Sequence, residues 1–126
     1  MAKTVHTVST EGFSSENQIR DFEVTIDATG ESAPDTLELL IADYASCYVP
    51  ALRVGAEQRG ADDLGEIAID VTGELNDDDK LDAVHFDVQV DADLDADTAD
   101  AIVERANELC KVHDALKSSL HAEVDL

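Results

Sequence analysis

Three observations predict an α+β fold for this 126-residue chain. Apolar and polar residues alternate over Asp21–Ala28, Ile67–Val71 and Val84–Val90, the period of strands with one buried face. Between the first two of these runs, Leu37, Leu40, Ile41, Tyr44, Cys47, Tyr48, Ala51 and Leu52 recur at helical spacings, three or four residues separating most neighbours. That is the stripe of a long helix. The resulting order is ββ, long α, ββ, α and a short last β, without βαβ alternation, which predicts antiparallel sheets around a central helix.

Each element has its own signal. Lys3–Ser9 is β-prone, and Asp21–Ala28 places Phe22, Val24 and Ile26 on one face. Glu11–Asn17 between them carries Gly12, two serines and acids or amides, the composition of a loop or hairpin connection. Ser32 and Pro34 announce a helix, with Asp35 or Thr36 as its cap and Glu38 placed to close a capping box. The helix runs over Thr36–Gln58, about 35 Å at 1.5 Å per residue, and Gly60 stops it. Pro50 lies inside it and removes a hydrogen bond to the Ser46 carbonyl, which predicts a kink or local opening beside Cys47.

Ile67, Ile69 and Val71 then face one way, as do Val84, Phe86, Val88 and Val90, with Asn76–Lys80 as the polar turn of a hairpin. A second helix over Asp95–Cys110 carries the stripe Ala99, Ile102, Val103, Ala106, Leu109 and Cys110, with acids in its first turn as the helix dipole prefers. His121–Leu126 reads as a last short strand. The length fits a single domain over residues 1–126. So long and apolar a helix is hard to cover with two thin β-layers, which predicts a symmetric homodimer.

Composition narrows the function. Thirty acidic residues against eight basic ones give a net charge of −22, which repels nucleic acid and anionic membrane surfaces. No apolar run is long enough to span a bilayer. The start, Met1–His6, lacks the apolar stretch of a secretory signal, so a cytoplasmic location is expected. The acids are spread over the whole chain as a solvated surface. Such a body repels itself unless salt screens it, and the Debye length falls to about 3 Å at 1 M. A high-salt cytoplasm is the expected setting.

Cys47 and Cys110 are too few for a disulfide scaffold or a structural zinc site. They are either two buried structural thiols or one redox couple. A redox couple would use one thiolate to attack a peroxide and the second thiol to resolve the sulfenic acid as a disulfide. Three other patterns are weaker. Asp91, Asp93, Asp95 and Asp97 alternate like the start of a calcium loop, but Ala96 and Ile102 occupy the positions that need glycine and glutamate, leaving a solvated turn. His113 follows Cys110 by three residues without metal-ligand spacing, and reads as a surface or cap residue. Tyr44 and Tyr48 read as core or pocket wall.

The segment Pro34-Asp35-Thr36-Leu37-Glu38-Leu39-Leu40-Ile41-Ala42-Asp43-Tyr44-Ala45-Ser46-Cys47 resembles the signature of the OsmC/Ohr family, the osmotically inducible and organic hydroperoxide resistance proteins. That pattern is a proline, Glu-Leu-Leu, small residues, and a helical cysteine nine or ten positions after the glutamate; here Glu38 precedes Cys47 by nine. The tail Cys110-Lys111-Val112-His113-Asp114-Ala115-Leu116-Lys117 is similar to the family's second cysteine segment, with Lys111 in place of its proline. Thr36 likewise replaces a common second proline, and Pro50 within the helix is unusual for the family. The likeness covers roughly residues 20–126.

The resemblance implies an OsmC-like intertwined homodimer, with sheets from both chains sheltering two long helices. It implies reduction of organic hydroperoxides, with Cys47 peroxidatic and Cys110 resolving. It also implies an external dithiol reductant, such as a lipoyl protein, and no bound cofactor or metal. Glu38 matches the glutamate that holds an activating arginine. Arg20 is the candidate for that arginine, whereas Arg53 lies six residues after Cys47, about 600° around the helix and on another face. The glutamate spacing of nine matches the OsmC-like branch more closely than the Ohr branch. The alternative reading is a non-enzymatic protein of the same fold, binding a small apolar ligand or serving a structural role with inert cysteines.

Overall fold

A computed structural model describes residues 1–126. Two compact units divide the chain, Met1–Leu40 and Ile41–Leu126. The helix α1, Thr36–Gln58, begins in the first and continues in the second.

The first unit is an antiparallel meander of β1 (His6–Val8), β2 (Ser14–Ile19) and β3 (Phe22–Asp27). β2 overturns the expectation that Glu11–Asn17 is only a connection. Its sequence, SSENQI, lacks apolar alternation, so nothing in its periodicity marks a strand. Pairing supplies what the pattern lacks, with Ser14 opposite Asp27 and Ile19 opposite Phe22. Asn17, buried despite being polar, accepts the Thr7 hydroxyl at 2.7 Å and donates to the Val24 carbonyl at 3.0 Å. These bonds satisfy its amide and lock the three strands together.

Asp27 ends β3 and organises the approach to α1. Its carboxylate accepts the N–H and hydroxyl of both Thr29 and Ser32, at 2.8 to 3.1 Å. Those donors, the Thr29 hydroxyl foremost, hold it far below the usual carboxylate range. Asp35 then caps α1, as anticipated. The Glu38 N–H donates to Asp35 Oδ1 at 2.8 Å and the Asp35 N–H to Glu38 Oε1 at 2.9 Å, a reciprocal capping box.

In the second unit, α1 lies against the sheet β4 (Ile67–Leu75), β5 (Leu81–Val90) and β6 (Glu123–Asp125), and α2 (Ala96–Leu109) completes the core. Tyr44, Tyr48 and Leu52 of α1, Phe86 of β5, and Ile102 and Ala106 of α2 are fully buried. The Phe86 ring meets Tyr44 and Tyr48 edge-on at 4.7 and 5.1 Å, contacts that add about 0.5–1.5 kcal/mol each beyond their burial. α1 stays helical from Thr36 to Gln58 with Pro50, exposed, inside it. Gly60, at φ +78°, terminates it. The Ala61 N–H returns to the Ala56 carbonyl at 2.9 Å, closing a Schellman turn.

The predicted hairpin is present, with the Asn76 side chain accepting the Asp78 and Lys80 N–H groups in its turn. The last strand differs from expectation. β6 pairs with β5 in parallel, His85 opposite Glu123 and Asp87 opposite Asp125. The segment from β5 through α2 to β6 is therefore a crossover, which the three-residue length of β6 leaves invisible to pattern reading. A five-residue helix α3 (Lys111–Ala115) and a single 3-10 turn (Ser118–Leu120) lie within this crossover and were not expected.

Candidate functional site

Cys47 sits mid-way along α1, half-buried, while Cys110 is buried at the end of α2. What brings the two helices close is Gly55. A Cβ there would lie 3.2 Å from the Ile102 carbonyl, so the missing side chain lets α2 approach α1. At Cys110 the backbone turns extended (φ −73°, ψ 113°) and the chain enters α3, with the His113 N–H donating to the Cys110 sulfur at 3.4 Å. The first N–H groups of a helix have no intrahelical acceptor. Here those of Lys111 and Val112, with the Cys110 thiol, favour a negative charge on the Cys47 sulfur.

The two sulfurs differ in their electrostatics. Burial pushes Cys47 up, but the Val112 N–H, the Cys110 thiol and the N–H and charge of Lys111 outweigh it and leave Cys47 below the ordinary thiol value. Burial also raises Cys110, and with the neighbouring Cys47 opposing its ionisation it is pushed up to about 11. One thiol is thus poised to ionise and the other to remain a donor. Cys47 opens into a cleft of about 340 Å³ lined by Pro50, Ala51, Val54, Leu109 and Lys111, apolar apart from the lysine. Other clefts in this unit are walled by Asp62, Asp63 and Asp93 and contain no cysteine.

A layer of hydroxyls and imidazoles lies behind the cysteines. The Tyr44 Oη lies 2.6 Å from His113 Nδ1 and accepts the Ala122 N–H at 2.9 Å. The Tyr48 hydroxyl donates to Asn107 Oδ1 at 2.8 Å, and the His113 and His121 rings stack at 3.7 Å. His113, read from the sequence as a surface or cap residue, is part-buried and hydrogen-bonded through its ring. Burial and then His121 lower its pKa, against the carboxylate of Asp114. The pair Tyr44–His113 escaped the sequence reading because its members are 69 positions apart. The spacing of His113 three residues after Cys110 was the one available hint.

The remaining candidates each have contacts within their own unit. Glu38 belongs to the first unit, its carboxylate closing the capping box. Arg20, also in the first unit, occupies the β2–β3 turn at φ 53°, its guanidinium 5.0 Å above the Phe22 ring. Arg53 donates to the Gly65 carbonyl at 2.9 Å and lies 3.9 Å from Asp63, away from Cys47 as its helical phase requires. Of the aspartates resembling a calcium loop, Asp95 caps α2 through the Thr98 N–H and Asp91 accepts the Glu66 N–H.

Residues 28–125 match the family described as OsmC-like protein. The chain belongs to the OsmC family. An uncharacterized protein of the halophile Haloferax volcanii is 47% identical over 118 residues, spanning 94% of this chain and 89% of the relative. Among solved structures, the OsmC-like protein from Mycoplasma pneumoniae superimposes with a TM-score of 0.82 at 15% identity, covering 99% of this chain and 94% of that one. The organic hydroperoxide resistance protein OhrB of Bacillus subtilis gives 0.71 at 23% identity, covering 98% and 97%. The OsmC fold is shared with both, and no helix here is long and apolar enough to cross a membrane.

Proposed function

We propose that this OsmC-family protein reduces organic hydroperoxides with two cysteines. The single observation that carries the reading is the apolar cleft lined by Cys47, the thiol of the unlike pair that its surroundings favour as the thiolate. The Cys47 thiolate attacks the terminal peroxide oxygen. An S–O bond forms, the O–O bond breaks, and an alkoxide leaves to be protonated as the alcohol. The Cys110 thiol then attacks the Cys47 sulfenic acid. A disulfide forms, and the Cys110 proton departs with the hydroxyl as water. An external dithiol reopens the bridge by exchange and is itself oxidised to a disulfide. The apolar walls Pro50, Ala51, Val54 and Leu109 favour an alkyl hydroperoxide over hydrogen peroxide.

The working form is a homodimer in a high-salt cytoplasm. Val5, Val8, Phe13 and Phe22 are exposed in the chain by itself, an apolar set that a second copy would cover. The charge of −22 and the Haloferax relative support the salt requirement.

The test is consumption of cumene hydroperoxide by the purified protein in about molar KCl, a concentration that brings the Debye length to about 3 Å, with excess dihydrolipoamide or dithiothreitol. Turnover should vanish in Cys47→Ser. Cys110→Ser should release one alcohol for each oxygen that Cys47 gains, two at the sulfinic and three at the sulfonic acid, and then stall, with the same oxygens visible by mass spectrometry. A folded wild-type protein without turnover under either reductant would remove the peroxidase reading. It would favour the ligand-binding alternative with inert thiols.

A further inference from the structure

α1 and α2 run past each other in opposite directions beside Cys47. A Cβ on Gly55 would lie 3.5 Å from the Ala106 nitrogen and 3.6 Å from Arg105 Cβ. Cys47, two turns earlier on α1, shares its cleft with Leu109 and Lys111, so later turns of α1 meet earlier turns of α2. Val54 follows Cys47 by seven residues, within about 20° of the same face of the helix. Its side chain is 40% exposed, and with Pro50, Ala51 and Leu109 it forms the apolar wall of the cleft. Gln58 lies one turn beyond Val54, and Arg105 one turn before Leu109. These two join across the helices, Arg105 Nε donating to Gln58 Oε1 at 2.6 Å, while Arg105 Nη1 donates to Glu108 Oε2 at 2.8 Å.

We propose that the Arg105–Gln58 bridge is the far end of the substrate cleft, and that it limits the substrate to a hydroperoxide whose linear alkyl tail reaches from Cys47 to Val54. That stretch of α1 is about 10 Å long at 1.5 Å per residue. An extended alkyl chain advances about 1.25 Å per bond, from C–C bonds near 1.5 Å, so about eight carbons fill it. A shorter tail leaves Val54 in water. A longer one meets a guanidinium and an amide instead of an apolar wall, and its extra methylenes gain nothing from burial. The tail is linear because the apolar wall is a single stripe of α1 faced by Leu109. The inference rests on the peroxidase reading for its substrate, but the seat of an alkyl chain is measurable without any peroxide.

Cys47 itself reports the fit. The readout is its rate of alkylation by N-alkylmaleimides with ethyl, butyl, hexyl, octyl and decyl chains, resolved by peptide mass in the same KCl buffer. Each rate is divided by that of glutathione, a thiol with no cleft beside it. Within the cleft each added methylene should speed alkylation by about two- to fourfold, the range between half and full burial of a CH₂ group. The climb should stop between hexyl and octyl, because the maleimide ring takes up part of the length. For n-alkyl hydroperoxides kcat/KM should climb in the same way and level off past octyl.

Gln58→Ala and Arg105→Ala each remove one half of the bridge and should carry the climb on to decyl, raising the decyl-to-hexyl ratio by at least about fourfold. Val54→Trp fills the cleft before its end and should bring the stop forward to butyl. A purely structural role would lower the melting temperature and change every chain length alike, leaving these ratios in place. Equal corrected rates for all five reagents in wild type would overturn the assignment, as would a stop at the same length in wild type and both bridge variants. The predicted climb without turnover of any hydroperoxide would retain the cleft as the seat of an alkyl chain and remove the peroxidase reading instead. Turnover with no dependence on chain length would do the reverse.

Discussion

Replacing Tyr44 by phenylalanine tests how the crossover behind Cys110 is held. The Tyr44 hydroxyl is the only polar atom of a fully buried side chain, and it serves two partners, His113 Nδ1 and the Ala122 N–H. With one proton and the Ala122 N–H already on its oxygen, the arrangement that satisfies every group has Tyr44 donating to an unprotonated Nδ1. Phenylalanine fills the same space and leaves both partners unpaired. Each costs about 1–3 kcal/mol when sealed from water. Both are only part-buried, so about 1 kcal/mol each is the appropriate share, or about 2 kcal/mol in total. For a chain of this length about 1 kcal/mol moves the melting temperature by roughly 3–5 °C, so Tyr44→Phe should melt about 6–10 °C lower. Hydrogen exchange should locate the loss, with the Ala122 amide and its neighbours in β6 losing protection before the β4–β5 hairpin does. A melting temperature within about 1 °C of wild type, far inside the roughly 6 °C minimum worked above, together with unchanged Ala122 protection, would refute the account.

Three further outcomes follow from the same geometry. Because burial and His121 lower His113 in the folded state, its stabilising contribution is complete above the unfolded histidine value of about 6.5 and is lost as pH falls through the folded one. The melting-temperature advantage of wild type over His113→Gln should accordingly shrink between about pH 7.5 and 5, a range that brackets that value. Gly65 adopts φ +73°, and a Cβ there would lie 2.5 Å from Asp91 Oδ2, the acceptor of the Glu66 N–H. Gly65→Ala should therefore cost about 2 kcal/mol in denaturant titration, from the left-handed backbone and the displaced carboxylate together. The charge of −22 predicts a melting temperature that climbs as KCl rises from about 0.1 M to about 3 M, as the Debye length contracts from about 10 Å to below 3 Å; a flat profile would remove the salt-adaptation reading.

Much of the site was legible residue by residue. The bounds of α1, its capping box at Asp35 and Glu38, the Gly60 stop and the β4–β5 hairpin all follow from local rules, because each depends on neighbours within one or two turns. The two cysteine segments were likewise recognisable, since both motifs are contiguous. β2 was not, because a polar strand is specified by the partners on either side of it and not by its own periodicity. Nor was the hydrogen-bonded role of His113, which needs a tyrosine from a helix far back in the chain.

The sequence by itself therefore determined the order of elements, the charged surface, the family and the identity of the two thiols. Only the tertiary structure decided that β6 runs parallel to β5, that Gly55 lets α2 approach α1, and that Cys47 shares a cleft with Leu109 and Lys111. The physical reason is range. Helical periodicity, capping and turn chemistry act over a few residues. The unequal acidity of Cys47 and Cys110 instead arises from burial and hydrogen bonds between segments that touch only after the chain has folded.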